Sequence, residues 1–439
     1  MVPNRNATNE PIPLLLHASH VIDPSQDLNG PADILLADGH IVAIGTPALV
    51  RPALATLEAQ GYAVIRREIP TGQIVTPGFI DLHVHLREPG FEDKETIATG
   101  ATAAARGGFT TICCMPNTRP VLDSRAAIEF VTRAARNTRA RVLPIAAITR
   151  DERGEELSEM GELAEAGAIA FSDDGRPVGN SHLMRAALEY ASMLDRPLIQ
   201  HCEDEALAAG GVMNEGVVAT QLGLKGIPVE AEEVMLERDI ALTRLTSGRY
   251  HAAHVSSAGS VELLRRAKAR GLRVSAEVTP HHLLLTEDWV AGRRTGLLGN
   301  DTPGIPYDTR TKVNPPLRTA ADAAALLQGL REGTIEAIAT DHAPHASTDK
   351  DCEYDQAAFG ISGLETALGS LLALVHAGQL SLSTLIAALT IGPARIFGLP
   401  YGTLAPGAAA DITIFAPDEP WVVEPEHFAS KGKIPRWRA

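Results

Sequence analysis

Cysteine is scarce. The chain of 439 residues has four, Cys113, Cys114, Cys202 and Cys352, and none forms a C-x-x-C pair. That excludes a disulfide-stapled framework and fits reduced thiols in a cytoplasm. No run of Lys or Arg forms a basic stripe, and the formal net charge is −15. Nucleic acid and anionic membrane are therefore poor partners. No apolar stretch is long enough to span a bilayer. The apolar run from Pro11 to Leu16 is too short for a signal peptide, and residues 1–11 read as a disordered leader. What remains is an ordinary globular composition, 45% hydrophobic and 21% charged, in a chain too long for one small core.

Two rhythms divide the chain. Residues 12 to about 76 read as short strands and turns, among them Leu14 to His17, Asp33 to Leu36 and His40 to Ile44. Asp38-Gly39 between two of these is a hairpin signal. From about residue 77, short apolar strands alternate with longer helical stretches. The strands are Gly78 to Val84, Thr110 to Met115, Val142 to Ile148, Ala168 to Phe171, Pro197 to Gln200, Tyr250 to His254, Val274 to Val278 and Ile335 to Thr340. Eight such units predict an α/β fold, a (β/α)8 TIM-like barrel over 77–395. A doubly wound sheet competes less well, because no Gly-rich phosphate loop follows the first strand. Residues 404–415 return to short strands. The two ends, 12–76 and 396–439, are expected to join as a small β-sandwich module.

The sequence Gly78-Phe79-Ile80-Asp81-Leu82-His83-Val84-His85-Leu86-Arg87-Glu88-Pro89-Gly90 carries the first chemistry. Residues i and i+2 of a strand share a face, so His83 and His85 can aim both imidazoles at one point. Pro89 and Gly90 then open a loop. Polar residues recur at the other strand ends: Asn117, Asp173-Asp174, His201, His254, His281-His282 and Asp341-His342. One strand-end His is more often hydrogen-bonded structure than a ligand. Histidines and aspartates converging from five or more strands reverse that. Imidazole and carboxylate without thiolate suit Zn²⁺ or a similar divalent ion in an open catalytic site. Asp341 is the candidate general base and acid.

These residues resemble the amidohydrolase superfamily and, within it, the bacterial class I dihydroorotases. The motifs are His83-Val84-His85-Leu86-Arg87, Met115-Pro116-Asn117-Thr118, Phe171-Ser172-Asp173-Asp174-Gly175, His201-Cys202-Glu203-Asp204, Val313-Asn314-Pro315-Pro316-Leu317-Arg318 and Ala339-Thr340-Asp341-His342-Ala343-Pro344-His345. The resemblance implies one or two Zn²⁺ per chain. His83 and His85 would bind the first metal and His201 and His254 the second, with Asp174 between them and Asp341 as both ligand and proton shuttle. It assigns substrate to Leu86, Arg87, Asn117, Asn314, His345, Phe359 and Gly360, with Arg87, Asn117 and His345 on a carboxylate. The implied reaction is the reversible cyclisation of N-carbamoyl-L-aspartate to L-dihydroorotate in pyrimidine synthesis, through metal-activated hydroxide. It also leaves open a homodimer or association with aspartate transcarbamoylase.

Hydantoinases and allantoinases are the nearest rivals. They typically bridge their metals with a carboxylated lysine from strand four, and this chain has no Lys between Lys94 and Lys225. A non-catalytic, dihydroorotase-like partner of aspartate transcarbamoylase is the second rival, and such chains usually lack several ligands. Ser430-Lys431-Gly432-Lys433-Ile434-Pro435 departs from the family's S-K-x-x-N-T-P segment, which predicts an exposed edge in the β module. His281 and His282 read as structural or as supports behind the metal ligands. Asp173 is expected to orient its neighbour, His342 to face away from Asp341, and Cys202 to be a packed small residue. The segment Thr295 to Thr311 reads as a long loop, either a lid or a passive surface.

Overall fold

The computed structural model describes residues 12–295 and 302–434. The expected leader at 1–11 and the centre of the expected lid lie outside them. The chain forms two compact units, Met1–Ile80 with Ser381–Trp421, and Asp81–Leu380 with Val422–Ala439.

The smaller unit is organised on the strand Leu14–Asp23. It pairs antiparallel with Leu28–Ala37 on one side and parallel with Ile65–Glu68 and Ile74–Pro77 on the other. The period of two sorts its side chains. Leu16, Ala18, Ile34, Val75 and Leu404 share one buried cluster, and Leu15, Leu35 and Val50 another. The second cluster lies under the helix Pro47–Ala59, which supplies Val50. Asp38 and Gly39 turn the predicted hairpin with φ of 50° and 75°. Two positive φ values are what a two-residue hairpin between right-twisted strands needs. Ile412–Phe415 is an edge strand of this sheet, and Ile414 is exposed.

The eight expected strands are present, each shorter than or close to its predicted length, and all but the first two residues of the first belong to the larger unit. They are Phe79–Val84, Phe109–Cys114, Arg141–Pro144, Phe171–Ser172, Leu198–Gln200, Tyr250–Ala252, Val274–Val278 and Ala337–Ile338. The first three are neighbours in that order, and so are the last five. Two parallel bridges, Ala146 to Phe171 and Val84 to His342, join the sets into a ring. Helices intervene, and some begin at a side-chain cap. Thr96 caps Ile97–Arg106 with a reciprocal bond from Thr99, and Asn180 caps Ser181–Met193 through its side-chain oxygen. Phe109, Phe171 and Tyr250 are among the largest fully buried side chains. Each such ring contributes about 2–3 kcal/mol of burial.

The tail departs from the sequence reading. Residues 422–434 cluster with the ring unit, whereas 381–395 cluster with the module. The physical reason is a set of buried acceptors. Glu365 takes the Ala429 and Ser430 amides at 3.0 and 3.1 Å, and Ser430 Oγ donates to Glu95. Backbone donors otherwise orphaned are satisfied on the ring side.

Candidate active site

Strand ends place the six sequence-predicted ligands in one buried group. His83 and His85 share a face at the end of Phe79–Val84, as their spacing requires. His201 follows Leu198–Gln200, His254 follows Tyr250–Ala252, and Asp341 follows Ala337–Ile338. His254 and Asp341 have positive φ, 29° and 47°, a local strain that turns each side chain at the strand end.

Asp174 is the hub. Its Oδ2 lies 3.4 Å from His85 Nε2. Its Oδ1 lies 3.5 Å from His83 Nε2, 3.6 Å from His254 Nε2 and 3.9 Å from His201 Nδ1. Asp341 Oδ1 lies 3.2 Å from His85 Nε2 and 3.7 Å from His83 Nε2. Two ligands bonded at about 2.0–2.1 Å to a tetrahedral ion sit roughly 3.3 Å apart, so these spacings fit a metal. Two triads of ligand atoms lie close enough to hold an ion: His83, His85 and Asp341, and His83, Asp174 and His254. His83 Nε2 and Asp174 Oδ1 are buried and without a hydrogen-bond partner. A buried polar atom left bare is costly, and an ion would relieve both.

The far nitrogens are held too. His83 Nδ1 donates to Glu277 at 2.8 Å, and His85 Nδ1 to Asn117 Oδ1 at 2.9 Å. Glu277 also accepts from His251 Nε2 at 3.2 Å. Burial would raise the Glu277 pKa, but the two imidazoles outweigh it and hold it far below the usual carboxylate range. For Asp174 and Asp341 burial likewise opposes ionisation. The surrounding histidines win, and both carboxyls stay below their ordinary value. Burial pulls His83 down, but Asp174 and Glu277 carry it well above its ordinary value.

Beside the cluster is a cationic pocket. Arg87 (φ 63°) donates through Nε to the Pro344 carbonyl at 3.2 Å, and its Nη2 lies 3.4 Å from His345 Nε2. His345 Nε2 donates to the Phe359 carbonyl at 2.7 Å. Burial, then Arg87, Lys350 and Lys94, push the His345 pKa down to about 3, so the ring is neutral. Gly360 (φ 117°) is required: a Cβ there would stand 2.7 Å from Ala343 Cβ. Asn314 Nδ2 lies 3.3 Å from His201 Nε2. Of the expected substrate residues, Leu86 is set apart. Its side chain is buried, and its Cδ2 occupies the space a Cβ at Gly100 would need.

Asp173 accepts from the Ile148 and Thr149 amides and from Thr149 Oγ1, and His282 bonds Thr279 Oγ1 and the Pro315 carbonyl. Asp173 thus ties the chain next to Asp174 to the Ile148–Thr149 backbone, and His282 is held by two hydrogen bonds away from the cluster. His342 faces Glu95 and the Gly363 amide rather than the cluster. Cys202 is buried against Tyr250. Glu277, His251 and Glu95 were missed by sequence reasoning. The one available signal was a charged residue, Glu277, inside the short strand Val274–Val278.

The family described as Dihydro-orotase-like matches residues 72–260. A dihydroorotase of Pelotomaculum thermopropionicum is 53% identical over 96% of this chain and 92% of its own length. One from Syntrophus aciditrophicus is 50% identical over 96% and 93%. Among solved structures, an L-hydantoinase (dihydropyrimidinase) from Arthrobacter aurescens superposes with a TM-score of 0.79. It shares 25% identity over 96% of this chain and 91% of that one.

Proposed function

This chain belongs to the dihydroorotase family, and we propose that it interconverts L-dihydroorotate and N-carbamoyl-L-aspartate in pyrimidine synthesis as a cytoplasmic class I enzyme. The observation that carries the reading is Asp174 set among four histidines beside a cationic pocket. The ring of eight strands is read as the (β/α)8 barrel, and the sheet of the smaller unit as the β-sandwich module.

His83, His85 and Asp341 would hold one Zn²⁺, and His201, His254 and Asp174 a second, with Asp174 shared. Bound there, the ion supplies a Lewis acid that acidifies water and polarises the scissile carbonyl. The chain's own groups do the rest. Arg87, Asn117 and His345 hold the substrate carboxylate, with the guanidinium supplying the charge. Asn314 and the backbone at Phe359 and Gly360 shape the ring site, while the Leu86 side chain packs away from it against Gly100. Asp341, kept ionised by its histidines, takes a proton from the attacking water. The new C–O bond forms at the ring amide carbonyl carbon first, and the ring C–N bond then breaks. Asp341 then passes the proton to the departing nitrogen, which becomes the carbamoyl NH₂.

The L-hydantoinase likeness raises a second reading, hydrolysis of an uncharged cyclic amide. Arg87 and the Asp174 hub argue against it. The test is hydrolysis of L-dihydroorotate with added Zn²⁺, with hydantoin and allantoin as controls. Turnover of dihydroorotate alone is expected. Turnover of hydantoin alone would overturn the assignment. Folded, metal-loaded protein inert on all three would point to a non-catalytic partner of aspartate transcarbamoylase.

A further inference from the structure

The C-terminal segment Ala429 to Ile434 lies against the loop that follows the last ring strand. Its attachment is not diffuse. Glu95, fully buried, accepts from Ser430 Oγ and from the Lys431 amide at 3.3 Å, and lies 3.3 Å from His342 Nε2. One carboxylate thus joins the tail to the residue after Asp341. Glu365 takes the Ala429 and Ser430 amides. Ser362 donates its hydroxyl to the Gly432 carbonyl and its amide to the Ile434 carbonyl, the latter at 3.1 Å. At Gly432 the approach is closest: a Cβ would stand 2.4 Å from Pro344 Cβ and 2.9 Å from Pro344 Cα. The Pro344 carbonyl is the acceptor of Arg87 Nε.

We infer that the segment 429–434 is a latch that positions the substrate-carboxylate pocket: Gly432 seats Pro344, and Pro344 aims Arg87. Gly432, Ser430 and Glu95 are positioning residues, none of which touches substrate. The inference rests on the reading of Arg87 as the carboxylate's partner. A misplacement of about 1 Å in such a contact can cost on the order of a hundredfold. By reciprocity, a ligand of the pocket must also tighten the latch.

The test uses Gly432→Ala in the full, zinc-loaded chain, with orotate as a non-hydrolysed planar probe in calorimetry. Orotate affinity is expected to fall about tenfold or more. KM for dihydroorotate should rise in step, kcat should stay within about threefold, and zinc content should not change. In the unsubstituted chain, orotate should slow amide exchange across 430–434. Should Gly432→Ala fail to fold, Ser430→Ala reads the same coupling through Glu95. A lowered Tm with unaltered orotate affinity and KM would reduce the tail to a structural prop and overturn the latch. If the unsubstituted chain neither binds orotate nor turns over dihydroorotate, the functional reading fails separately. The latch is then read by amide exchange at His342 to His345. Faster exchange in Gly432→Ala supports it, and unchanged exchange overturns it.

Discussion

The histidine cluster and the cationic pocket are built in opposite ways. The cluster is held by strand-borne side chains backed by buried carboxylates, with Glu277 behind His83 and Asp173 fixing the loop before Asp174. The pocket is held by loops that lean on one another through backbone carbonyls. Lys350 Nζ donates to the carbonyls of Thr309, Lys312 and Ala358, which ties three segments around Phe359 and Gly360. Negative charge organises the first and positive charge the second. Strands give a cluster that is set before any ligand arrives. Loops give a pocket that depends on distant contacts.

The largest expected effect tests whether the two regions meet at one residue. Asp341→Asn should lower kcat by about 10²–10⁴ and leave orotate affinity within a few-fold, measured by steady-state kinetics and calorimetry. Next is a crossed pair. Glu277→Gln should weaken metal affinity by about 10–100-fold in chelator competition and barely move orotate binding. Arg87→Lys should do the reverse, raising KM by about 10–100-fold, the value of one lost bidentate, charge-assisted contact. If either variant moves both readouts equally, the division between cluster and pocket is wrong.

The smallest effect is on stability. Burial, then Asp173 and Asp174, push the Glu152 pKa up to about 9. A carboxyl raised in the folded state contributes most stability below its unfolded value, near 4.5, and loses that as pH climbs through 9. Glu152→Gln should therefore raise Tm at pH 8, by about 2 °C, and change little at pH 4.5. Calorimetric scans at the two pH values check the sign.

The same division explains what could be read from the sequence. His83 and His85 were legible from spacing alone, because a strand repeats every two residues. Asp174, His201, His254 and Asp341 stood at strand ends in recognisable motifs, and the ring's strands showed as apolar runs. Glu277 did not. One acidic residue in a five-residue strand reads as solvent-facing until the ring shows both of its faces covered. The tail was assigned by continuity to the module. Nothing in Ser430-Lys431-Gly432 announces a buried acceptor more than 300 residues earlier, at Glu95.

The ring closes where the cluster sits. Val84 bridges His342, the His85 amide reaches the His342 carbonyl at 2.8 Å, and Asp81 accepts from Thr340 across 259 positions of chain. No earlier strand can substitute for that seam. A nascent chain would thus carry His83, His85, Asp174, His201 and His254 in a half-built sheet until the final strand emerged. Contacts so distant in sequence form late and slowly. A chain that stops short of that strand lacks both Asp341 and the seam that closes the ring.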